Sequence, residues 1–171
     1  GCYIYCEDKA LSEYLKNRTI DFIIGNPPYV KIQELSLNQK KYLKEHYLSC
    51  KSGNYNLFYP FIELSLNILS DNGKIGYIIP NHFLKMKSSF GLRSLLLNSK
   101  SIYKIIDFKD NQLFTNAQTY SAILFLDKSE KNNILYKNIP SNSNNQSIRK
   151  ELEKKFDKFS YDDVNPESIN L

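Results

Sequence analysis

Residues 21–29 read Asp21-Phe22-Ile23-Ile24-Gly25-Asn26-Pro27-Pro28-Tyr29. Phe22, Ile23 and Ile24 form a short apolar run that Gly25 and two prolines terminate, the pattern of a buried strand whose C-terminal end feeds a loop. In an open α/β sheet that end of a strand is where binding and chemistry collect.

Working outward, residues 31–52 are rich in Lys, Gln, Glu and Asn and include the basic cluster Lys40, Lys41 and Lys44, so an exposed, partly helical insertion is expected there. Phe58, Phe61, Ile62, Leu66 and Leu69 recur at helical spacing. Asp71-Asn72-Gly73 then supplies turn chemistry to close that helix. Ile75-Gly76-Tyr77-Ile78-Ile79 is a compact strand stopped by Pro80, and Leu92, Leu95, Leu96 and Leu97 mark a second helix. Two apolar strands follow, residues 101–108 and 121–126, joined by a polar loop that holds Phe114. No long helix separates them, which predicts antiparallel neighbours. Strands alternating with helices predict a doubly wound α/β sheet, mostly parallel, with an antiparallel hairpin at its edge. After Pro140, Ser141-Asn142-Ser143-Asn144-Asn145-Gln146 reads as a linker, and a charged helical segment runs over residues 148–159. The expected division is therefore 1–140 for the main domain and 141–171 for a linker and the start of a following region.

The chain has 171 residues, 42% hydrophobic and 24% charged, enough for one folded unit with a core. No apolar run approaches the roughly 18 to 20 residues that cross a bilayer, and the N-terminus lacks a secretory signal. A cytoplasmic protein without a membrane partner is expected. Cys2, Cys6 and Cys50 form no CxxC pair and adjoin no histidine cluster, so reduced thiols in packing positions are expected rather than a disulfide framework or a zinc site. His46 and His82 stand apart from each other and from acids at ligand spacing, so no metal site and no Ser/His/Asp group is indicated. The net charge of +5 suits an anionic partner without identifying one. The chain opens on Gly1 and reaches the strand-like Tyr3-Ile4-Tyr5-Cys6 almost at once, as a piece of a longer polypeptide would.

Asn26-Pro27-Pro28-Tyr29 resembles the (N/D/S)PP(Y/F) motif of amino-group methyltransferases, which follows the fourth strand of a Rossmann-like sheet. Three further blocks occur in the family's order over residues 21–126: Gly53-Asn54-Tyr55-Asn56-Leu57-Phe58 with Phe61-Ile62-Glu63; Asn72 through Ile79-Pro80-Asn81; and Asp107-Phe108 through Phe114 to Ala122-Ile123-Leu124. Together they resemble the DNA adenine-N6 methyltransferases of type IIG-like restriction–modification enzymes. The resemblance implies an α/β fold, the C-terminal part of a Rossmann-like S-adenosylmethionine-dependent methyltransferase. It implies methyl transfer from S-adenosylmethionine to N6 of an adenine flipped out of double-stranded DNA.

By the same resemblance, the Asn26 side-chain oxygen and the Pro27 carbonyl accept hydrogen bonds from N6, the prolines hold that carbonyl rigidly, and Tyr29 stacks on the base. Phe114 matches the aromatic that packs on the opposite face of the extruded adenine. Phe61 matches a residue lining the cofactor's adenine pocket, and Asp8, or Glu7 beside it, matches the acid that binds the cofactor's adenine amino group. Blander readings stand beside these: a strand-ending turn for Asn-Pro-Pro, a core aromatic for Phe61, a plug between strands for Phe114, and a helix cap for Asp8.

The family's Gly-rich cofactor loop and its ribose-binding acid do not occur before Asn26, so only part of the cofactor pocket is expected in this chain. A cofactor-binding half on one side and a target-recognition domain on the other are expected from the parent polypeptide, and the isolated chain is expected to be inactive. Two alternatives remain open. Related motifs occur in methyltransferases of protein glutamine or RNA base amines, and a noncatalytic DNA-binding or assembly module could retain the motif.

Overall fold

The computed structural model of the protein describes residues 19–51, 53–113 and 120–169. Among these, six strands form one sheet: β1 (Ile20–Gly25), β2 (Leu69–Pro80), β3 (Ile102–Asp107), β4 (Ser121–Asp127), β5 (Asn133–Asn138) and β6 (Asp157–Ser160). Their spatial order is β1-β2-β4-β3-β5-β6. Helices α1 (Leu37–His46) and α2 (Phe58–Ile68) lie in the crossover from β1 to its parallel neighbour β2. Helix α3 (Phe90–Asn98) leads into β3, and α4 (Asn145–Glu153) separates β5 from β6.

Alternation along β2 buries Ile75, Tyr77 and Ile79 on one face, as a half-covered strand requires. They join Leu43, Tyr55, Phe58, Ile62, Phe83, Leu92, Leu96 and Leu124 in the main core. A smaller cluster of Ile106, Phe108 and Ile139 carries Ile148 and Leu152, one turn apart on α4, together with Phe156.

The mixed α/β sheet agrees with the fold class read from the sequence, but four details differ. First, the antiparallel β3–β4 pair is present, yet it is not an edge. β4 is inserted between β2 and β3, β5 and β6 extend the sheet beyond it, and the described pairings are mixed rather than mostly parallel. Second, β1 is not buried on both faces: Phe22 and Ile24 are 73% and 88% exposed, and no described element covers that side.

Third, residues 31–51 are anchored rather than loose. Leu35, Leu43, Tyr47 and Cys50 are buried among the polar residues, and Ser36 and Gln39 close a capping box on α1. The buried Glu63 carboxylate accepts the Leu48 and Ser49 N–H groups at 2.8 Å each. Asp71-Asn72-Gly73 likewise does not end a helix outside the sheet. It lies within β2, where the register with β1 jumps from Ile20↔Leu69 to Phe22↔Lys74. A side chain at Gly73 would come 2.7 Å from Leu69 and 3.0 Å from the Ile20 carbonyl, so the bulge needs a glycine.

Fourth, the chain after Pro140 does not leave the sheet. β6 pairs with β5, and Tyr161 and Ile169 belong to the main core. The fully buried Arg93 donates to the carbonyls of Phe83 and Met86 on one side and Pro166 and Glu167 on the other, at 2.6–2.7 Å. The polarity that reads as a linker belongs to an exposed amphipathic helix and an edge strand.

Asp127 ends β4 beneath the core. Burial opposes its charge, but hydrogen bonds from Lys131, Lys74 and Ser129 outweigh that and hold the carboxyl at about 2. A depressed folded-state value stabilises fully above the unfolded value near 4, and the stabilisation is lost as pH falls toward 2. Asp127→Asn is expected to cost about 2 kcal/mol at pH 7, discounted because Lys74 is half-exposed. In urea denaturation followed across pH, the gap between the two proteins should be constant above about pH 5 and close toward pH 2.

Candidate active site

Parallel pairing of β1 with β2, and antiparallel pairing of β4 with both β2 and β3, bring four segments to one end of the sheet. These are Asn26 after β1, Asn81 after β2, Phe108 after β3 and Tyr120 before β4.

At this end Asn26 is exposed, Pro27 is buried, and Pro28 and Tyr29 are half-buried. The turn begins on Gly25, where an added Cβ would stand 3.1 Å from the Tyr77 ring. That ring is itself fixed, since Tyr77 and Ser65 hydroxyls lie 2.6 Å apart and Ser65 also donates to the Phe61 carbonyl. The Tyr29 hydroxyl donates to the Ile78 carbonyl at 2.9 Å, and its ring meets Phe58 edge-on with centroids 6.1 Å apart. Burial pushes the Tyr29 hydroxyl up to about 12, so it remains a donor.

Beyond Tyr29 the chain is stapled to the block at residues 55–57. Leu57 N–H donates to Val30 O at 2.8 Å, Ile32 N–H to Tyr55 O at 3.1 Å, and Lys31 and Asn56 form an antiparallel bridge. Two sequence blocks 25 residues apart thus become one rigid element. Among the described residues, no hydrogen bond reaches the Asn26 side chain or the Pro27 carbonyl. Neither acceptor is engaged among these residues; Asn26 is exposed and Pro27 is buried.

Phe61 sits half-buried on α2 and packs against the core. Asp8, Glu7 and Phe114 lie outside the described residues, as do Cys2 and Cys6. Cys50 is fully buried, and burial raises its thiol to about 12. His46 stacks on Tyr42 at 4.1 Å, a contact within one helical turn. Among the described residues, no group of three His, Cys, Asp or Glu side chains could hold a metal, and no helix is long and apolar enough to cross a membrane.

Sequence reasoning did not single out Phe58 as the support of Tyr29, although it lies in a block it noted. Its periodicity is that of an ordinary core residue, so only the contact distinguishes it. The segments following β1 and β2 meet around a cavity of about 140 Å³ lined by Lys31, His82, Met86 and Ser88. Exposed Lys31, Lys85 and Lys87 therefore share this end of the sheet with Asn26.

A mixed Rossmann-like sheet with Asn-Pro-Pro-Tyr leaving a strand end defines the class: it is the fold of S-adenosylmethionine-dependent methyltransferases. Residues 5–114 match the Eco57I restriction-modification methylase family, and the chain belongs to that family. It is 35% identical over 124 residues to the type II restriction enzyme and methyltransferase RM.Eco57I of Escherichia coli, covering 71% of this chain and 12% of that protein. It is 39% identical over 128 residues to the type II methyltransferase M.HincII of Haemophilus influenzae, covering 72% and 25%. The chain thus spans a quarter or less of these relatives. Its fold matches the type I restriction-modification methyltransferase subunit of Streptococcus thermophilus (TM-score 0.63, 17% identity, 86% of this chain and 36% of that one). It also matches the type ISP enzyme LlaGI solved with a DNA substrate mimic (TM-score 0.65, 21% identity, 96% and 19%).

Tyr29→Phe removes one partly buried hydrogen bond and leaves the ring, so a loss of about 1 kcal/mol is expected. Phe58→Ala removes the fully buried ring beneath it and should cost about 3–5 kcal/mol. Urea unfolding of both variants checks this order, and a larger cost for Tyr29→Phe than for Phe58→Ala would overturn it.

Proposed function

We propose that this chain carries the acceptor side of a DNA adenine-N6 methyltransferase within a restriction–modification enzyme. The observation that carries the reading is the pair of unengaged acceptors, the Asn26 side-chain oxygen and the Pro27 carbonyl, on a turn fixed from beneath by Tyr77 and from behind by Tyr29.

The lone pair of an exocyclic adenine amine is delocalised into the ring, so the amine is a poor nucleophile. Two acceptors that take its two N–H groups favour the pyramidal geometry in which the lone pair can attack. Proline at positions 27 and 28 leaves the turn little freedom to lose when the amine is bound. Tyr29 presents its ring to one face of the base while its hydroxyl stays on Ile78, and Phe114 is assigned the other face.

S-adenosylmethionine supplies an electrophilic methyl carbon on a sulfonium. In that reaction N6 would bond to the methyl carbon as the carbon–sulfur bond breaks to leave a neutral thioether, and the proton shed by N6 would pass to water. Asn26 is a neutral amide, so it holds the amine and does not take that proton. Around the cofactor, the described residues offer the half-buried Phe61 ring and the uncovered Phe22–Ile24 side of β1. Asp8 is assigned to the cofactor's adenine amino group, and the rest of the pocket to a cofactor-binding half in the parent polypeptide that continues the sheet at β1. Lys31, Lys85 and Lys87 suit the phosphates of double-stranded DNA, with sequence readout assigned to a separate target-recognition domain. A chain holding one side of the pocket is inactive by itself.

In the full-length polypeptide, Asn26→Ala is expected to lower methylation roughly 100-fold or more while leaving DNA affinity within about threefold. Tritium transfer from labelled cofactor, with nucleoside analysis of the product, reads both rate and position. Unchanged methylation would remove Asn26 from the site. A methyl group on cytosine N4, on RNA or on protein would overturn the adenine-N6 assignment, and full turnover by the isolated chain would overturn the division of the cofactor pocket.

A further inference from the structure

Lys31 and Asn56 stand opposite each other in the antiparallel bridge that joins the chain leaving the Asn26 turn to the block at residues 55–57. Directly opposed residues of such a pair send their side chains to the same side, with Cβ atoms about 5 Å apart. The bonds from Leu57 N–H to Val30 O at 2.8 Å and from Ile32 N–H to Tyr55 O at 3.1 Å hold the pair in place. Both side chains line the cavity of about 140 Å³, together with Gln33, Asn54, His82 and Ser88.

Asn56 is only 9% exposed, yet among the described residues no hydrogen bond reaches either end of its amide, and Oδ1 is fully buried without a partner. Asn111, comparably buried, has its amide bonded at both ends. A buried amide left unpaired carries a free-energy penalty, so its presence beside a cavity points to a partner that enters the cavity. The terminal torsion of asparagine is soft, and the amide can turn its donor toward such a partner.

The lining chemistry says what the partner is. No carboxylate lines the cavity, and Glu34, the nearest acid in sequence, turns its Oε1 to the Lys31 backbone N–H at 3.3 Å. Among the described residues Lys31 Nζ enters no ion pair. Desolvation lowers the His82 pKa from its ordinary value and the Lys31 charge lowers it further, so the ring is neutral and brings no second cation. An ammonium with amide and hydroxyl donors and no carboxylate selects an anion. The volume is well below the roughly 300–1,000 Å³ of a pocket for a whole small molecule, so it seats a group and not S-adenosylmethionine.

We infer that this cavity seats a backbone phosphate of the DNA strand next to the target nucleotide, with Lys31 supplying the charge and the Asn56 amide a directed hydrogen bond. This rests on the adenine reading above. Lys31 follows Tyr29 by two residues, so a phosphate held there is bound to the same stapled element that carries the acceptor turn. An extruded nucleotide turns about its own backbone, and fixing a neighbouring phosphate fixes the axis of that turn.

The test makes single linkages next to the target adenine neutral, one at a time, as methylphosphonates, and measures binding of each DNA to the full-length polypeptide. One linkage is expected to lower wild-type affinity roughly 3- to 10-fold. Lys31→Met should lower affinity for natural DNA by a similar factor and reduce the salt slope by about one, and at that neutral linkage it should cost less than about twofold more. Asn56→Asp keeps the side-chain shape and puts a carboxylate against the phosphate. It should weaken binding to natural DNA more than about 10-fold, but binding to the neutral-linkage DNA less than about threefold. A role in packing alone would make both losses independent of the linkage. Additive losses at every linkage would overturn the inference, as would unchanged affinity in both variants. If Asn56→Asp does not fold, Lys31→Met, at an exposed side chain, decides by the same cycle. Nucleoside analysis of the wild-type product separates the two readings: a methyl group elsewhere than on DNA adenine fails the adenine reading, whereas missing coupling in an enzyme that does methylate DNA adenine fails the phosphate seat alone.

Discussion

A phenol half-buried against apolar rings needs a partner for its proton, and Tyr29 has one in the carbonyl of Ile78, a strand away. That single bond decides where the preceding three residues point. With Gly25 pressed on Tyr77 and Tyr29 tied to β2, the Asn26-Pro27-Pro28 turn is fixed at both ends, with Asn26 exposed and Pro27 buried. β2 can serve as the anchor because it is itself held on both sides. It pairs with β1 in parallel and with β4 through seven consecutive antiparallel positions, from Lys74↔Asp127 to Pro80↔Ser121. Slippage by one residue would turn Ile75, Tyr77 and Ile79 out of the core, so the register is strongly specified.

How far the sequence could be read follows from which signals are local. The β1 end and its Asn-Pro-Pro-Tyr turn were legible because strand termination by glycine and proline is written in adjacent residues. The α2 helix was legible from its spacing, and the β3–β4 pair from the absence of a helix between them. Residues 31–51 read as a loose insertion because their four buried anchors are diluted by lysine and glutamine, and because Glu63, which caps Leu48 and Ser49, lies far along the chain. Residues 141–169 read as a linker for a related reason. Arg93 secures Pro166 and Glu167 across more than 70 positions, and no local pattern carries such a bond. At the site, the acceptor residues were visible, but Phe58, which supports Tyr29, gains its role only from a contact. Asp8 and Phe114 lie outside the described residues, so their roles stay as proposed.

The electrostatics narrow what this end of the sheet can do. Among the described residues, the unengaged acceptors of the turn are a neutral amide oxygen and a backbone carbonyl, which hold donors without removing protons. The carboxylate at the same end, Asp107, is surrounded by Asn81, Lys109 and Tyr136 and is directed into the fold. A substrate that must be held as a neutral amine, and that sheds its proton only after it has acquired a fourth bond, suits such a site. A substrate that must be deprotonated before reaction does not.

The uncovered side of β1 belongs to the same logic. Phe22 and Ile24 expose most of their surface on one face of β1, an apolar patch that favours association on that face. Under the proposed function, this open face is assigned to the donor side, while the pairing of β1 with β2 fixes the acceptor turn. In that reading, rigidity among the described residues is concentrated on the side that holds the base. Covering Phe22 and Ile24 would then couple assembly of the donor side to the geometry of the acceptor turn, because β1 carries both.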